Sequence, residues 1–230
     1  MILVLGDIHG RTIWKDIIDT ENPDLIIFLG DYVTTHEYIS SSQQIVNLEA
    51  ILQYKEENPN KVILLRGNHD LQELGYYWAE CSGFDYEVAN YMRENKDRFL
   101  SLTQWIYIYN NIIFSHAGIS SVWLNNIGCA VEDINSLQPS ELFAFTPSHF
   151  SDTYGTSVTQ PLTWIRPQTL ATCNITDYDQ IIGHTPAKKI VNMKECTKQN
   201  RNILLCDTLG HREYLIIEDN EFIPKILPKQ

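Results

Sequence analysis

The chain has 230 residues, 43% of them hydrophobic and 20% charged, with a net charge of −12. That is enough apolar material for a sizeable core and too much for a disordered chain. The acidic balance argues against a generic hold on nucleic acid or on an anionic membrane, both of which need basic patches.

Ile2–Leu5 reads as a buried strand and Thr12–Thr20 as a short helix with Ile13, Ile17 and Ile18 on one face. Leu25–Leu29 is a second apolar strand. Ser41–Glu57 is an amphipathic helix begun by serines, and Val62–Leu65 is a third strand. Strands apolar on both faces that alternate with helices describe a covered sheet with parallel pairing. Asp70–Glu80 and Phe84–Phe99 read as helices. Trp105–Tyr109 and Ile112–Phe114, joined by Asn110-Asn111, read as a hairpin. Ile203–Cys206 and Tyr214–Ile217 read as late strands of a second, antiparallel-leaning sheet, with a turn at Asp219-Asn220 before Phe222–Ile226. The stretch 120–179, rich in proline and hydroxyls, reads as an insertion or cap near the site within a single domain spanning 1–230.

Cys81, Cys129, Cys173, Cys196 and Cys206 are scattered and odd in number, which suits free thiols in a reducing compartment. No apolar run approaches the length that spans a bilayer, and Met1–Leu5 lacks the basic start of a signal peptide. A cytoplasmic protein with no membrane or nucleic-acid partner is expected.

Five apolar runs each end in a polar cluster: Gly6-Asp7-Ile8-His9-Gly10, Gly30-Asp31, Gly67-Asn68-His69-Asp70, Ser115-His116-Ala117-Gly118 and Gly183-His184-Thr185. Any one alone is an ordinary turn. Together they put carboxylate, imidazole and amide groups at strand ends, where open α/β sheets bind ligands. Asp7 and His9 are two apart, so in an extended segment they point the same way. Carboxylate and imidazole without thiolate suit manganese, iron, zinc or nickel. A pair of such ions generates hydroxide at neutral pH and clamps a phosphoryl group.

The series resembles the calcineurin-like metallophosphoesterases, and more narrowly the phosphoprotein phosphatases and their bacterial and phage relatives, which carry Gly-Asp-x-His-Gly, Gly-Asp-x-Val-Asp-Arg-Gly, Arg-Gly-Asn-His-Glu and Gly-His-Thr. The resemblance implies a four-layer α/β/β/α sandwich with two central mixed sheets. It implies two divalent metal ions, manganese first and iron, zinc or nickel as alternatives. Asp7 and His9 would hold the first ion, Asp31 would bridge both, and Asn68, His116 and His184 would complete the second. His69 would be the general acid. Arg66 and Arg166 would bind substrate phosphate, Arg166 through a Trp-x-Arg element at Trp164-Ile165-Arg166.

One departure stands out. The family's Asp-Arg-Gly after the second cluster is here Thr34-Thr35-His36, so both the aspartate that orients the catalytic histidine and a phosphate-binding arginine are replaced. Asp70, beside His69, points away in an extended chain and is expected to cap the next helix. His36 and His149 are read as surface and loop histidines. The expected activity is hydrolysis of a phosphomonoester, a phosphoprotein or a small phosphoester. A dinucleoside polyphosphate or other nucleotide hydrolase and an inactive binding scaffold are the alternatives.

Overall fold

The computed structural model describes residues 1–145 and 155–229. The first part alternates strand and helix: β1 (Ile2–Leu5), α1 (Ile13–Glu21), β2 (Leu25–Phe28), α2 (Ser41–Glu57), β3 (Val62–Leu65) and α3 (Asn68–Glu73). Then come α4 (Tyr86–Glu94), α5 (Lys96–Leu102), β4 (Thr103–Gln104), β5 (Ile106–Tyr109) and β6 (Ile112–Ser115). The chain continues through α6 (Ser121–Ile127), α7 (Pro167–Cys173), β7 (Asp179–Ile182), β8 (Val191–Asn192), β9 (Ile203–Leu205), β10 (Glu213–Glu218) and β11 (Glu221–Ile226).

The strands form two mixed sheets. One runs β11-β10-β1-β2-β3-β4 and the other β5-β6-β7-β9-β8. In the first, β1, β2, β3 and β4 are parallel, and β10 closes on β1 antiparallel, with Leu3 opposite Ile216. In the second, β6, β7 and β9 are parallel, while β5 and β8 are antiparallel edges.

The alternation of side chains along each strand makes the layers. Leu3, Leu5, Ile26, Phe28 and Leu64 face outward onto Trp14 and Ile17 of α1, Leu48 and Ile51 of α2, and Val88 and Met92 of α4. The intervening Ile2, Val4, Ile27, Leu29 and Leu65 face inward and meet Ile112, Phe114, Ile181 and Leu204 of the other sheet. Beyond the second sheet, Ile106 and Ile113 pack on Trp123, Ile134, Phe143 and Leu162, and Ile182 and Ile203 pack on Ile165 and Leu170. The result is the expected α/β/β/α sandwich. The described part of 120–179 supplies most of the fourth layer.

Three local expectations need correction. The late strands do not share a second sheet: β9 joins β7, and β10 joins β1. The reason is visible in β10, where Tyr214 and Ile216 serve the outer core and Leu215 and Ile217 the inner one. A strand apolar on both faces belongs between two layers, not at an exposed edge. The helix expected over 84–99 breaks at Asn95, whose φ/ψ of −105°/18° lies outside the helix, into α4 and α5. The helix expected over Asp70–Glu80 runs instead from Asn68 to Glu73.

Candidate active site

Six chemistry-bearing residues leave the C-terminal ends of six parallel strands: Asp7 after β1, Asp31 after β2, Asn68 after β3, His116 after β6, His184 after β7 and Asp207 after β9. They converge in the seam between the two sheets. The cavity there is about 430 Å3 and is also lined by His9, His36, His69, Cys81, Trp164 and Arg166.

The donors fall into two overlapping groups. Asp7, His9 and Asp31 lie with their ligand atoms within 4.8 Å of one another, and so do Asp31, His116 and His184. Asp31 is common to both. Asn68 Oδ1 is 2.9 Å from His116 Nε2 and 2.9 Å from His184 Nδ1. Two ligands held about 2.1 Å from one cation at right angles stand roughly 3 Å apart, so this spacing suits a shared ion.

Each histidine is fixed through its other nitrogen. His9 Nδ1 donates to the Thr34 carbonyl at 2.7 Å, His116 Nδ1 to that of Leu29 at 2.9 Å, and His184 Nε2 to that of Trp164 at 3.1 Å. A carbonyl can only accept, so these nitrogens carry protons and the opposite one is left to ligate. The carboxylates are seated on glycine. A Cβ on Gly183 would stand 2.1 Å from Asp7 Oδ1, and one on Gly67 would stand 2.0 Å from Asp31 Oδ1. Asp7 Oδ1 accepts from His184 N and Asp31 Oδ1 from His69 N, both at 2.9 Å.

The charges are strongly coupled. Burial first, and then Asp207, push the Asp7 carboxyl well above its ordinary value. Burial also works against charge on Asp31, but His116, His69 and His9 outweigh it and hold that carboxyl below the usual range. Burial would lower His116, yet Asp31 and Asp7 instead push it up to about 10, with Asp31 Oδ2 3.3 Å from Nε2. Burial and His116 keep His184 neutral. Burial likewise lowers His69 to about 4. Three buried carboxylates facing this histidine cluster make a site that multivalent cations neutralise, and a cation on His116 must displace its proton.

All six expected ligand residues are thus brought together, with His69 at the same cavity. Arg166 lines it too, and its Nη1 donates to the Thr185 hydroxyl at 3.0 Å and the His184 carbonyl at 3.3 Å. Arg66 does not belong there. Its guanidinium turns away, donating to the Thr103 hydroxyl at 2.9 Å and to the carbonyls of Leu100 and Thr103, and lying 4.8 Å over the Trp105 ring. Leu65 before it faces inward, so alternation sends Arg66 to the other side of the sheet. In this structure Arg66 ties β3 to α5 and does not line the cavity.

Asp70 caps its own helix, accepting from Gly67 N, and also from Asp31 N and Tyr32 N. His36 is exposed and lines the cavity mouth. His149 lies outside the described residues. Two cavity residues escaped the sequence reading. Asp207 follows the apolar run Ile203–Cys206, the same signal as the other clusters without a histidine or glycine beside it. Cys81 sits in a loop with no periodicity to mark it.

This fold, with donors from both sheets meeting at the strand ends, is that of a metal-dependent phosphoesterase. A sequence model of the family described as "Calcineurin-like phosphoesterase" matches residues 1–189, and the chain belongs to that family. A probable serine/threonine-protein phosphatase of Encephalitozoon cuniculi is 26% identical over 157 residues, covering 64% of this chain and 31% of that protein. Serine/threonine-protein phosphatase ppe1 of Schizosaccharomyces pombe is 33% identical over 129 residues, covering 52% and 39%. The chain therefore aligns with about a third of these relatives' length. Among solved structures, a cold-active protein-tyrosine phosphatase of a psychrophilic Shewanella superposes with a TM-score of 0.66 at 17% identity, covering 98% of this chain and 77% of that one. A serine/threonine phosphatase of Saccharomyces cerevisiae superposes at 0.59 with 18% identity, covering 100% and 80%. The family works with divalent metal ions, and the donors gathered here fit them.

Proposed function

We propose that the chain is a hydrolase of phosphate monoesters that uses two divalent metal ions, with manganese the first choice for this mixed oxygen and nitrogen donor set. The observation that carries the reading is the pair of donor groups sharing Asp31 beneath one cavity. Asp7, His9 and Asp31 would hold one ion, and Asp31, Asn68, His116 and His184 the other. When bound, the ions supply Lewis acidity toward the phosphoryl oxygens and lower the pKa of water.

The chain's own residues do the rest. Arg166 binds the phosphoryl oxygens from the Trp164 side, where a guanidinium fork suits them. Water attacks phosphorus from the side opposite the ester oxygen, the ester P–O bond breaks, and inorganic phosphate and an alcohol are released. His69 Nε2 gives the departing oxygen its proton. The chain is a single domain, and the stretch 120–179, which brings Phe145, Trp164 and Arg166 to the cavity, acts as its cap. The unpaired cysteines support a reducing, cytoplasmic setting. The phosphatase relatives support a phosphoprotein or small phosphoester as substrate.

Asp31→Asn is the test. It is expected to abolish manganese-stimulated turnover of nitrophenyl phosphate and to lower metal content measured by elemental analysis, because one carboxylate serves both ions. Full turnover by this variant with no bound metal would sink the reading.

A further inference from the structure

The replaced Asp-Arg pair leaves a question about His69: what now holds its ring? Thr34, in the aspartate's place, does not. Its hydroxyl donates to Glu73 Oε1 at 2.9 Å, and its carbonyl accepts from His9. The side chain at His69 Nδ1 comes from elsewhere. Cys81 Sγ lies 3.5 Å from that nitrogen, within sulfur hydrogen-bond range, and lines the same cavity.

The thiol is well anchored. Cys81 N donates to Gln72 Oε1 at 2.6 Å, and Gln72 stands on α3, the helix that carries His69. The His69 ring also meets the His9 ring, with centroids 5.2 Å apart at 83°. With Nδ1 against the thiol, Nε2 is the nitrogen left for the cavity. We infer that Cys81 is the positioning residue of His69, its sulfur held against Nδ1 so that Nε2 faces the ester oxygen.

The inference rests on the phosphoesterase reading, and two measurements on the manganese-loaded full chain separate their failures. The first compares Cys81→Ala with the wild type on nitrophenyl phosphate and on phenyl phosphate, whose leaving group needs a proton more. The variant is expected to keep its metal content and KM. It should lose about tenfold in kcat on phenyl phosphate and less than about threefold on nitrophenyl phosphate, the scale of lost support behind an acting histidine. Equal loss on both esters, or no loss, overturns the positioning role while leaving the enzyme reading intact. A wild type that turns over neither ester overturns the reading and the inference together.

The second measurement does not need the variant to fold. A crystal structure of the manganese-loaded wild type is expected to keep Cys81 Sγ within sulfur hydrogen-bond range of His69 Nδ1, with Nε2 toward the cavity. A ring turned so that Nδ1 leaves the thiol overturns the inference.

Discussion

At His9, His116 and His184 a backbone carbonyl holds one ring nitrogen and so chooses which one is offered to the site. The backbone itself is bent to present them. His9, Asp31 and His184 all have positive φ, at 45°, 50° and 63°. Each such residue costs about 1–3 kcal/mol, which the surrounding fold must offset. Glu73 carries a different strain. It has no exposed surface, and its Oε2 has no hydrogen-bond partner among the described residues. Burial, the largest cause, pushes its carboxyl from 4.5 up to about 6. The folded chain therefore holds this proton more tightly than the unfolded one. The stabilisation is full below 4.5 and is lost as pH rises through about 6. Glu73→Gln keeps an oxygen for Thr34 and Asp85 and carries no charge. It is expected to exceed the parent's stability at pH 8 by up to about 2 kcal/mol, with little difference at pH 4. Urea denaturation at both values checks this, and an unchanged gap between parent and variant would refute it.

At the scale of elements, α3 shows how a short helix serves a site. Gly67 opens it, Asn68 and His69 occupy its first turn, and Asp70 reaches back to Gly67 N at 2.8 Å. The same carboxylate accepts from Asp31 N and Tyr32 N at 2.9 Å, so one side chain locks the turns after β2 and β3 together. The longer α2 is built by local rules. Ser40 Oγ accepts from Gln43 N, and Gln43 Oε1 accepts from Ser40 N, a reciprocal capping box. Ser40→Ala is expected to cost about 1 kcal/mol, or roughly 2–4 °C in Tm for a chain of this size. Turnover should be unchanged, since α2 touches the site through Gln44, which accepts from Thr34 N at 2.8 Å, and not through its cap. Calorimetry alongside a nitrophenyl phosphate assay tests both parts, and a variant as stable as the parent would remove the cap's energetic role.

For the whole molecule, the decisive contact is between the sheets. Phe114 is fully buried in the inner core, against β1, β2 and β7, two residues before His116. Phe114→Ala is expected to cost about 3–5 kcal/mol and to weaken metal retention, because it leaves a cavity between the two halves of the site. A destabilised variant that retains metal as tightly as the parent would show that the strand ends hold their spacing without the inner core.

The strands β1, β2 and β3, the helix α2 and the six residues proposed as ligands were legible in the sequence. Apolar runs of strand length and glycine-flanked Asp, His and Asn are local signals, written within a few neighbouring residues. The side on which Arg66 leaves its strand was not legible there, nor were Cys81 and Asp207. The sense of a side chain leaving a strand, and the identity of a loop that folds back on a helix, depend on partners tens of residues away. The division of β9 and β10 between two sheets has the same origin, since long-range pairing chooses among strands that look alike alone. The sequence by itself determined the chemistry at the strand ends, because donor type and spacing are local. Only the tertiary structure decided which arginine reaches the cavity and that a thiol stands behind His69, because both follow from how two sheets and a loop close on one another.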